Sequence, residues 1–184
     1  IREKNLIMEK IKLEKIVDER TREVVEQKDE IARQRDVVTY QKKEITDSIH
    51  YAERIQRAVL PEDKVMKDKF RDYFVLFRPK DIVSGDFYWM SYKNDHVVFT
   101  AADCTGHGVP GALVSVVCSN ALTRCVKEFK LTVPGEILDK ARNLILETFQ
   151  KSGQDVKDGM DISLCQFEIK SLQKNQNNSL NFLW

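Results

Sequence analysis

The sequence predicts an α+β protein in which a long solvated helix precedes a layered domain of helices and strands. Residues 1–60 contain no Gly and no Pro and are dense in charged side chains, which make up 32% of the whole chain. Every Phe lies after residue 69, together with all of the Gly and both Trp. Such a shift in composition separates a solvated rod from a segment with enough apolar side chains to form a core.

The charge balance argues against a nucleic-acid partner. The 30 Lys and Arg residues are offset by 29 Asp and Glu residues, so that the formal net charge is +1. A nucleic-acid-binding domain usually carries a strong excess of positive charge on one face. We therefore expect no nucleic acid among the partners.

Cysteine spacing and hydropathy indicate a cytoplasmic protein. The four Cys residues form no C-x-x-C pair, which argues against a zinc or thiol-redox site, and free thiols fit a reducing compartment. No apolar run approaches the roughly 20 residues that cross a bilayer, and no signal-peptide pattern opens the chain. Because the chain begins with Ile1, we expect an upstream region, which could tether the full-length protein to a membrane.

Residues 1–60 carry the seven-residue repeat of a coiled coil. One seam line is apolar and consists of Val17, Val24, Ile31, Val38, Ile45, Ala52 and Val59. The companion line is apolar at its ends but polar from Arg20 to Ser48, which would weaken the coil while fixing its register. The pattern predicts a parallel homodimer through residues 1–60, about 90 Å long. An ordinary solvated helix is the alternative.

His50 suggests a second interpretation of the rod, the phospho-acceptor of a sensor kinase. No acidic residue follows it directly, and nothing downstream resembles a nucleotide-binding kinase domain. A solvated or packed histidine is the preferred interpretation.

Residues 62–184 predict strands that surround a pair of helices. Runs of aromatic and β-branched residues predict strands at residues 74–77, 86–92, 97–103, 160–169 and 179–184. Helices are predicted at residues 109–129 and from Pro134 to about residue 150, since proline suits a first helical turn. Two helices that are adjacent in sequence favour a mixed α+β domain over repeated βαβ units.

The predicted hairpin places Asp86 beside Asp103. A turn centred on residues 94–95 pairs Tyr92 with Val97. The same register sets Asp86 opposite Asp103, with Cβ atoms about 5 Å apart. Like charges at this separation repel unless a cation neutralises them, and Mg²⁺ or Mn²⁺ prefers carboxylate oxygen. A slip of one residue would separate the two acids, and two solvated acids at strand ends fit the spacing equally well.

Gly106, Gly108 and Gly111 match the spacing of the dinucleotide-binding fingerprint, but such a match alone is weak. Asp103 would repel a pyrophosphate, Pro110 alters the loop, and the following helix leads to another helix instead of a strand. The glycines are better explained as positions where the backbone approaches a metal-bound phosphate closely.

Three segments carry sequences typical of one enzyme family. They are Ser84-Gly85-Asp86-Phe87-Tyr88-Trp89, residues 102–112 with the sequence ADCTGHGVPGA, and Asp158-Gly159-Met160-Asp161. They resemble the PPM-type metal-dependent serine/threonine phosphatases of the stage II sporulation protein E (SpoIIE) branch. The resemblance implies a signalling coiled coil at residues 1–47, a regulatory lead-in helix at 48–61, and a phosphatase domain at 62–184 that is incomplete at its carboxy terminus.

The resemblance also implies a fold and a metal site. The fold is an α-β-β-α sandwich, of which this chain holds the first part. Two Mn²⁺ or Mg²⁺ ions would lie at one end of the sheets, with Asp86, Asp103 and the Cys104 backbone carbonyl as ligands. Asp86 and Asp103 would act in catalysis through a metal-bound water that attacks phosphorus.

Further candidates at the site are weaker. Arg78 and Lys80 could contact the substrate phosphate, and the alternative is that both are surface charges. The family resemblance carries no ligand role to Asp158 or Asp161, because their segment opens a central strand in the family and is not its later metal motif.

The resemblance implies hydrolysis of phosphoserine or phosphothreonine in bacterial signal transduction. The substrate class is a phosphorylated partner-switching regulator, such as an anti-sigma-factor antagonist. The motifs that supply the remaining metal-binding aspartates have no counterpart before Trp184, so we expect the 184-residue chain alone to be nearly inactive and marginally folded. The alternatives are a catalytically inactive module that binds a phosphoprotein and a coiled-coil signalling module without catalysis.

Overall fold

A computed structural model of the chain describes residues 2–70, 72–150 and 158–168. The chain forms two compact units, Ile1–Ser48 and Ile49–Trp184. Helix α1 runs from Arg2 to Val59 and so contributes to both. The predicted domains 1–47, 48–61 and 62–184 stay predictions.

The first unit is a solvated helical segment without Gly or Pro. Ion pairs one turn apart, such as Arg20–Glu23 and Arg33–Glu30, line its surface, and each stabilises the helix by a few tenths of a kcal/mol. The seam residues Val24, Ile31 and Val38 are 60–64% exposed. The helix therefore presents an apolar line that a partner could cover, and the predicted coiled coil stays a prediction.

Within its described residues, the second unit combines one antiparallel sheet with three further helices. Along the chain these are α2 (Asp63–Lys69), β1 (Phe87–Lys93), β2 (His96–Cys104), α3 (Gly108–Lys127), α4 (Pro134–Gln150) and β3 (Met160–Glu168). The strands lie in the order β1-β2-β3, and each neighbouring pair is antiparallel. This arrangement confirms the predicted α+β class and the two central helices.

The hairpin between β1 and β2 has the predicted register. Tyr92 pairs with Val97, and Tyr88 pairs with Ala101. Asn94 in the two-residue turn has a φ of 54°, a left-handed conformation that asparagine tolerates better than most residues. The sequence pattern therefore sets which side chains share a face of this sheet.

The hydrophobic core lies between one face of the sheet and the helix pair α3 and α4. Phe87, Trp89, Val98, Ala102 and Cys104 point from the sheet into this core, and α3 and α4 supply buried side chains such as Leu122 and Ile137. The Trp89 indole nitrogen donates a hydrogen bond to Thr123 Oγ1 at 2.9 Å, so that its polar atom is satisfied. The acidic residues Asp86 and Asp103 lie on the other side of the sheet.

Helix α3 is an exception to the expectation that no segment is apolar enough to cross a bilayer. By length and composition alone Gly108–Lys127 qualifies, but 56% of its apolar window is buried inside the domain. Its buried residues include Cys118, Leu122 and Val126, which face the sheet and α4. The apolar character of α3 is thus explained by its place in the core.

The predicted strand at residues 74–77 is wrong. This segment has no regular secondary structure, and Phe74 and Leu76 are 78% and 75% exposed. A strand depends on a neighbouring strand for its backbone hydrogen bonds, and none of the described residues pairs with this one. Phe77 nevertheless packs on Tyr88, with ring centroids 5.7 Å apart, which holds the segment against the acidic face of the sheet.

The second sheet of the predicted sandwich is not present within residues 2–70, 72–150 and 158–168. The predicted strand at 179–184 and residue 169 of the strand at 160–169 lie outside the described residues. The sandwich therefore stays a prediction.

Candidate metal centre

Asp86 and Asp103 come together at one end of the sheet. Asp86 directly precedes β1, and Asp103 is the last residue but one of β2. Their carboxyl groups lie within hydrogen-bonding distance of each other, as the hairpin register requires. Both residues are exposed, so the pair is open to solvent and to a ligand.

The electrostatics of this pair favour a positive partner. Partial burial of the Asp86 carboxyl group raises its pKa although the residue as a whole is exposed, and the neighbouring Asp103 raises it further through a shared hydrogen bond and charge repulsion. A hydrogen bond with the Ser84 side chain lowers it in part. Without a cation, two ionised carboxylates at this separation oppose each other, and a divalent ion would remove that opposition.

The backbone carbonyl of Cys104 lies close to the same corner. A Cβ atom added to Gly85, the residue before Asp86, would come 2.8 Å from this carbonyl oxygen and 2.5 Å from that of Gly106. Only glycine leaves room for these two oxygens. The segment before Asp86 and the end of β2 are therefore packed backbone against backbone.

The loop after β2 uses glycine for conformation as well as for space. Gly106 and Gly108 have φ values of +90° and +62°, which other residues rarely adopt. A Cβ on Gly111, in the first turn of α3, would lie 2.8 Å from the Gly106 carbonyl carbon and 3.1 Å from the Gly85 Cα. The three glycines 85, 106 and 111 thus let two loops and a helix end meet beside the acid pair.

The side chain of Cys104 has a structural role on the opposite face. It is buried and forms a hydrogen bond with the Cys118 thiol. That hydrogen bond, burial and the charges of Asp103 and Asp86 all raise the pKa of the Cys104 thiol. The thiol stays protonated at neutral pH, and the backbone oxygen of Cys104 lies beside Gly85, the residue before Asp86.

Asp161, to which the sequence analysis assigned no ligand role, is a neighbour of the pair, and this position was not predicted. It is the Cα partner of Asp103 across the β2–β3 ladder, so acidic residues follow one another from the residue before β1 to β2 and β3. The described residues nevertheless include no group of three or more His, Cys, Asp or Glu side chains that could hold a metal ion. Only the β2–β3 register could have revealed the position of Asp161.

A second link joins the loop after β2 to the start of β3. The Thr105 backbone N–H donates to the Gly159 carbonyl oxygen at 3.0 Å, and the Gly159 N–H donates to Thr105 Oγ1 at 3.1 Å. Asp158 and Asp161 flank this contact in sequence. The third predicted motif is therefore fixed beside the second.

Within the described part of the chain, Arg78 and Lys80 form no ion pair with Asp86 or Asp103. Both lie in the irregular segment before β1 and are exposed. Neither forms a hydrogen bond or an ion pair with another residue of the described ranges. Their role in binding a substrate phosphate stays a prediction.

The donors present fit part of a divalent-cation site. Two carboxylates and one backbone carbonyl are hard oxygen ligands of the kind that Mg²⁺ and Mn²⁺ prefer. An octahedral ion needs about six ligands, some of which are usually water. The described residues therefore fit the predicted cations without completing their coordination.

One solved structure supports the family that the motifs suggest. The chain is similar to the SiaA-PP2C domain of Pseudomonas aeruginosa, with 32% sequence identity and a TM-score of 0.59. The match covers 67% of this chain and 48% of that structure, so the chain spans about half the length of the domain it matches. No protein-family model and no curated protein matches the chain.

This likeness indicates the class of domain to which the second unit is similar. The α+β fold of the second unit is similar to that of a PP2C domain, which is a phosphatase domain of the PPM type. The match therefore supports a PPM phosphatase-like domain. It does not separate the SpoIIE branch from other branches.

Proposed function

We propose that this chain is the amino-terminal part of a PPM-type protein serine/threonine phosphatase of the SpoIIE-like branch. The main observation in support is the pair of Asp86 and Asp103 carboxyl groups, which lies where β1 begins and β2 ends. Its position matches the motifs by which the chain resembles that branch. The similarity to a PP2C domain supports the same proposal.

The proposed cofactors are two Mn²⁺ or Mg²⁺ ions held in part by Asp86, Asp103 and the Cys104 carbonyl. When bound, such ions supply a nucleophilic water at neutral pH and stabilise charge on the phosphoryl oxygens. Asp86 and Asp103 orient the ions and balance their charge. Gly106, Gly108 and Gly111 carry no side chains at the end of β2 and the start of α3, so that a phosphate can approach the backbone closely.

The proposed substrate is phosphoserine or phosphothreonine on a partner-switching regulator, such as an anti-sigma-factor antagonist. Both carboxylates of the pair are exposed, as a site that acts on a protein substrate requires. Arg78 and Lys80 are proposed to contact the phosphate. The protein is proposed to be cytoplasmic, with an upstream sensor and a membrane tether outside this chain.

The proposed assembly is a parallel homodimer through residues 1–60. The apolar seam line of the first unit is largely solvent-exposed, with Ile31 at 64% and Val38 at 60%. Burying such a line against a second copy is the usual outcome of a heptad repeat. A signal from an upstream sensor would then pass along this helix.

Hydrolysis of a phosphoserine peptide by the full-length protein tests the enzymatic proposal. Turnover should require Mn²⁺ or Mg²⁺ and should fall by at least about a hundredfold in Asp103→Asn, since the variant loses a charged ligand. Asp139→Asn is the matched control because it makes the same change at an exposed position on α4. It should retain full activity.

Direct measurement of Mn²⁺ binding by electron paramagnetic resonance separates the alternatives. A folded full-length protein that binds the phosphopeptide but neither binds Mn²⁺ nor hydrolyses the peptide would contradict the phosphatase. That result would favour the phosphoprotein-binding module instead. Metal-dependent turnover that Asp103→Asn leaves unchanged would remove Asp103 from the site.

A further inference from the structure

Gln56, in the last turn of α1, is an unusual buried amide. It is 4% exposed, and among the described residues of α1 it is the one that is buried. Its side chain makes three hydrogen bonds with two other parts of the second unit. A buried polar group that is fully paired fixes the groups around it more strictly than an apolar side chain does.

The Gln56 amide pairs with the backbone of Ser84 in both directions. Nε2 donates to the Ser84 carbonyl oxygen at 2.5 Å, and the Ser84 N–H donates to Oε1 at 3.2 Å. This is the pattern by which a neighbouring strand would pair with that residue. The Gln56 side chain therefore satisfies both backbone polar groups of Ser84, just before β1.

Ser84 passes this constraint to Asp86. The Asp86 N–H donates to Ser84 Oγ at 3.0 Å, and the Ser84 side chain also forms a hydrogen bond with the Asp86 carboxylate. Ser84 is itself 7% exposed, so its backbone has little freedom. The position of the Asp86 carboxylate thus depends on a short chain of bonds that begins at Gln56.

The same amide reaches the first part of α3. Nε2 of Gln56 donates to Ser115 Oγ at 2.9 Å, and this hydroxyl donates to the Ala112 carbonyl oxygen at 2.8 Å. Ala112 follows Gly111, which packs against Gly85 and Gly106. Gln56 consequently holds the segment before Asp86 and the helix that supports the glycine loop in one arrangement.

We propose that Gln56 is a positioning residue for the metal centre. Its amide fixes Ser84 against α3 and so holds the Asp86 carboxylate where it meets Asp103. The end of α1 thereby sets the affinity for the divalent cation without touching it. This inference rests on the proposed phosphatase function, because it assigns a role at that same metal site.

Gln56→Met tests this role, since methionine has a similar length but pairs with neither Ser84 nor Ser115. In the full-length protein we expect the Mn²⁺ concentration that gives half-maximal turnover to rise about tenfold, as is typical when an outer partner of a metal ligand is lost. Turnover at saturating Mn²⁺ should change less than twofold. The dissociation constant of Mn²⁺ measured by electron paramagnetic resonance should rise by the same factor.

Two further variants distinguish positioning from general stability. Ser115→Ala removes one of the three partners of the amide and should give a smaller shift, of about twofold to threefold, in the same direction. Thr123→Ala is the structural control, because it removes a hydroxyl of the same helix that accepts a hydrogen bond from Trp89 instead. It should lower the melting temperature and leave the Mn²⁺ dependence unchanged.

The outcomes separate this inference from the function on which it rests. Metal-dependent turnover in the wild type with the same half-saturating Mn²⁺ concentration in Gln56→Met and Thr123→Ala would overturn the positioning role alone. A wild type that neither binds Mn²⁺ nor turns over would overturn both. If Gln56→Met does not fold, an unchanged Mn²⁺ dependence in Ser115→Ala would still count against the inference.

Discussion

Asp161 of β3 lies directly opposite Asp103 of β2, and Asp103 in turn lies beside Asp86 at the start of β1. Three acidic residues therefore follow one another across the end of the sheet. Like charges that face each other on neighbouring strands destabilise a sheet. In the absence of a cation, repulsion between these carboxylates destabilises this end of the domain.

Removing the charge of Asp161 should therefore stabilise the metal-free protein. Asp161→Asn is expected to raise the free energy of unfolding by about 0.5 kcal/mol, because one repulsion across the β2–β3 ladder is lost. Urea unfolding in the presence of a chelator measures the change. Glu147→Gln makes the same change in charge on an exposed part of α4, and an equal gain in that variant would show that net charge alone is responsible.

The acid pair should also give the metal-free protein a characteristic pH dependence. Burial and Asp103 raise the pKa of Asp86 above its ordinary value of 3.8, so the unfolded chain releases this proton at lower pH than the folded protein does. Protonated Asp86 therefore stabilises the folded protein at pH values below that ordinary pKa. This stabilisation is lost as the pH rises through the raised pKa.

Asp86→Asn keeps a neutral side chain at every pH and should remove this loss. Relative to the wild type without metal, its free energy of unfolding should increase from about pH 4 towards neutrality. Saturating Mn²⁺ should reverse the order, because the wild type then gains from a ligand that binds its folded state. A constant difference between the two proteins across this pH range would contradict the raised pKa.

Glycine is required at the first turn of α3 but not at that of α4. Gly111→Ala would bring a methyl group 2.8 Å from the Gly106 carbonyl carbon, and we expect a destabilisation of about 2 kcal/mol from this overpacking. Gly135→Ala meets no atom within 4 Å and should stabilise α4 by about 0.5 kcal/mol. Thermal unfolding of the two variants gives a matched comparison, and equal shifts in both would refute the close packing.

The predicted homodimer depends on one line of residues on α1. Val24 lies on the seam line and is 61% exposed. Val25 is the next residue, lies off the seam line and is 51% exposed. Val24→Lys should shift the full-length protein towards the monomer in sedimentation velocity, because a charge would enter the seam. Val25→Lys should leave the sedimentation coefficient unchanged, and identical behaviour of the two variants would argue against the predicted register.

The sequence allowed prediction of the parts of the site that depend on local pairing. The hairpin of β1 and β2 follows from a two-residue turn and from alternation, so the meeting of Asp86 with Asp103 could be worked out residue by residue. The helices at Gly108–Lys127 and Pro134–Gln150 follow from apolar content and from proline at a first turn. These features need no knowledge of distant contacts.

Other parts of the site depend on contacts between distant segments. Asp161 reaches Asp103 only through a strand that returns after both helices, and its register is not encoded by a turn. Gln56 has the polar character of an exposed helical residue, and only the packing of the second unit shows it to be buried. The segment 74–77 has the alternation of a strand, but alternation cannot supply the neighbouring strand that its backbone needs.

The order of the strands also has a consequence for folding. β1 and β2 are joined by two residues, whereas β3 pairs with β2 only after segment 105–159 has closed as a loop that contains α3 and α4. Closing a longer loop costs more chain entropy, and contacts that are distant in sequence slow folding. A variant in which β3 detaches would therefore keep the pair of Asp86 and Asp103, while losing both Asp161 and the contact between Thr105 and Gly159.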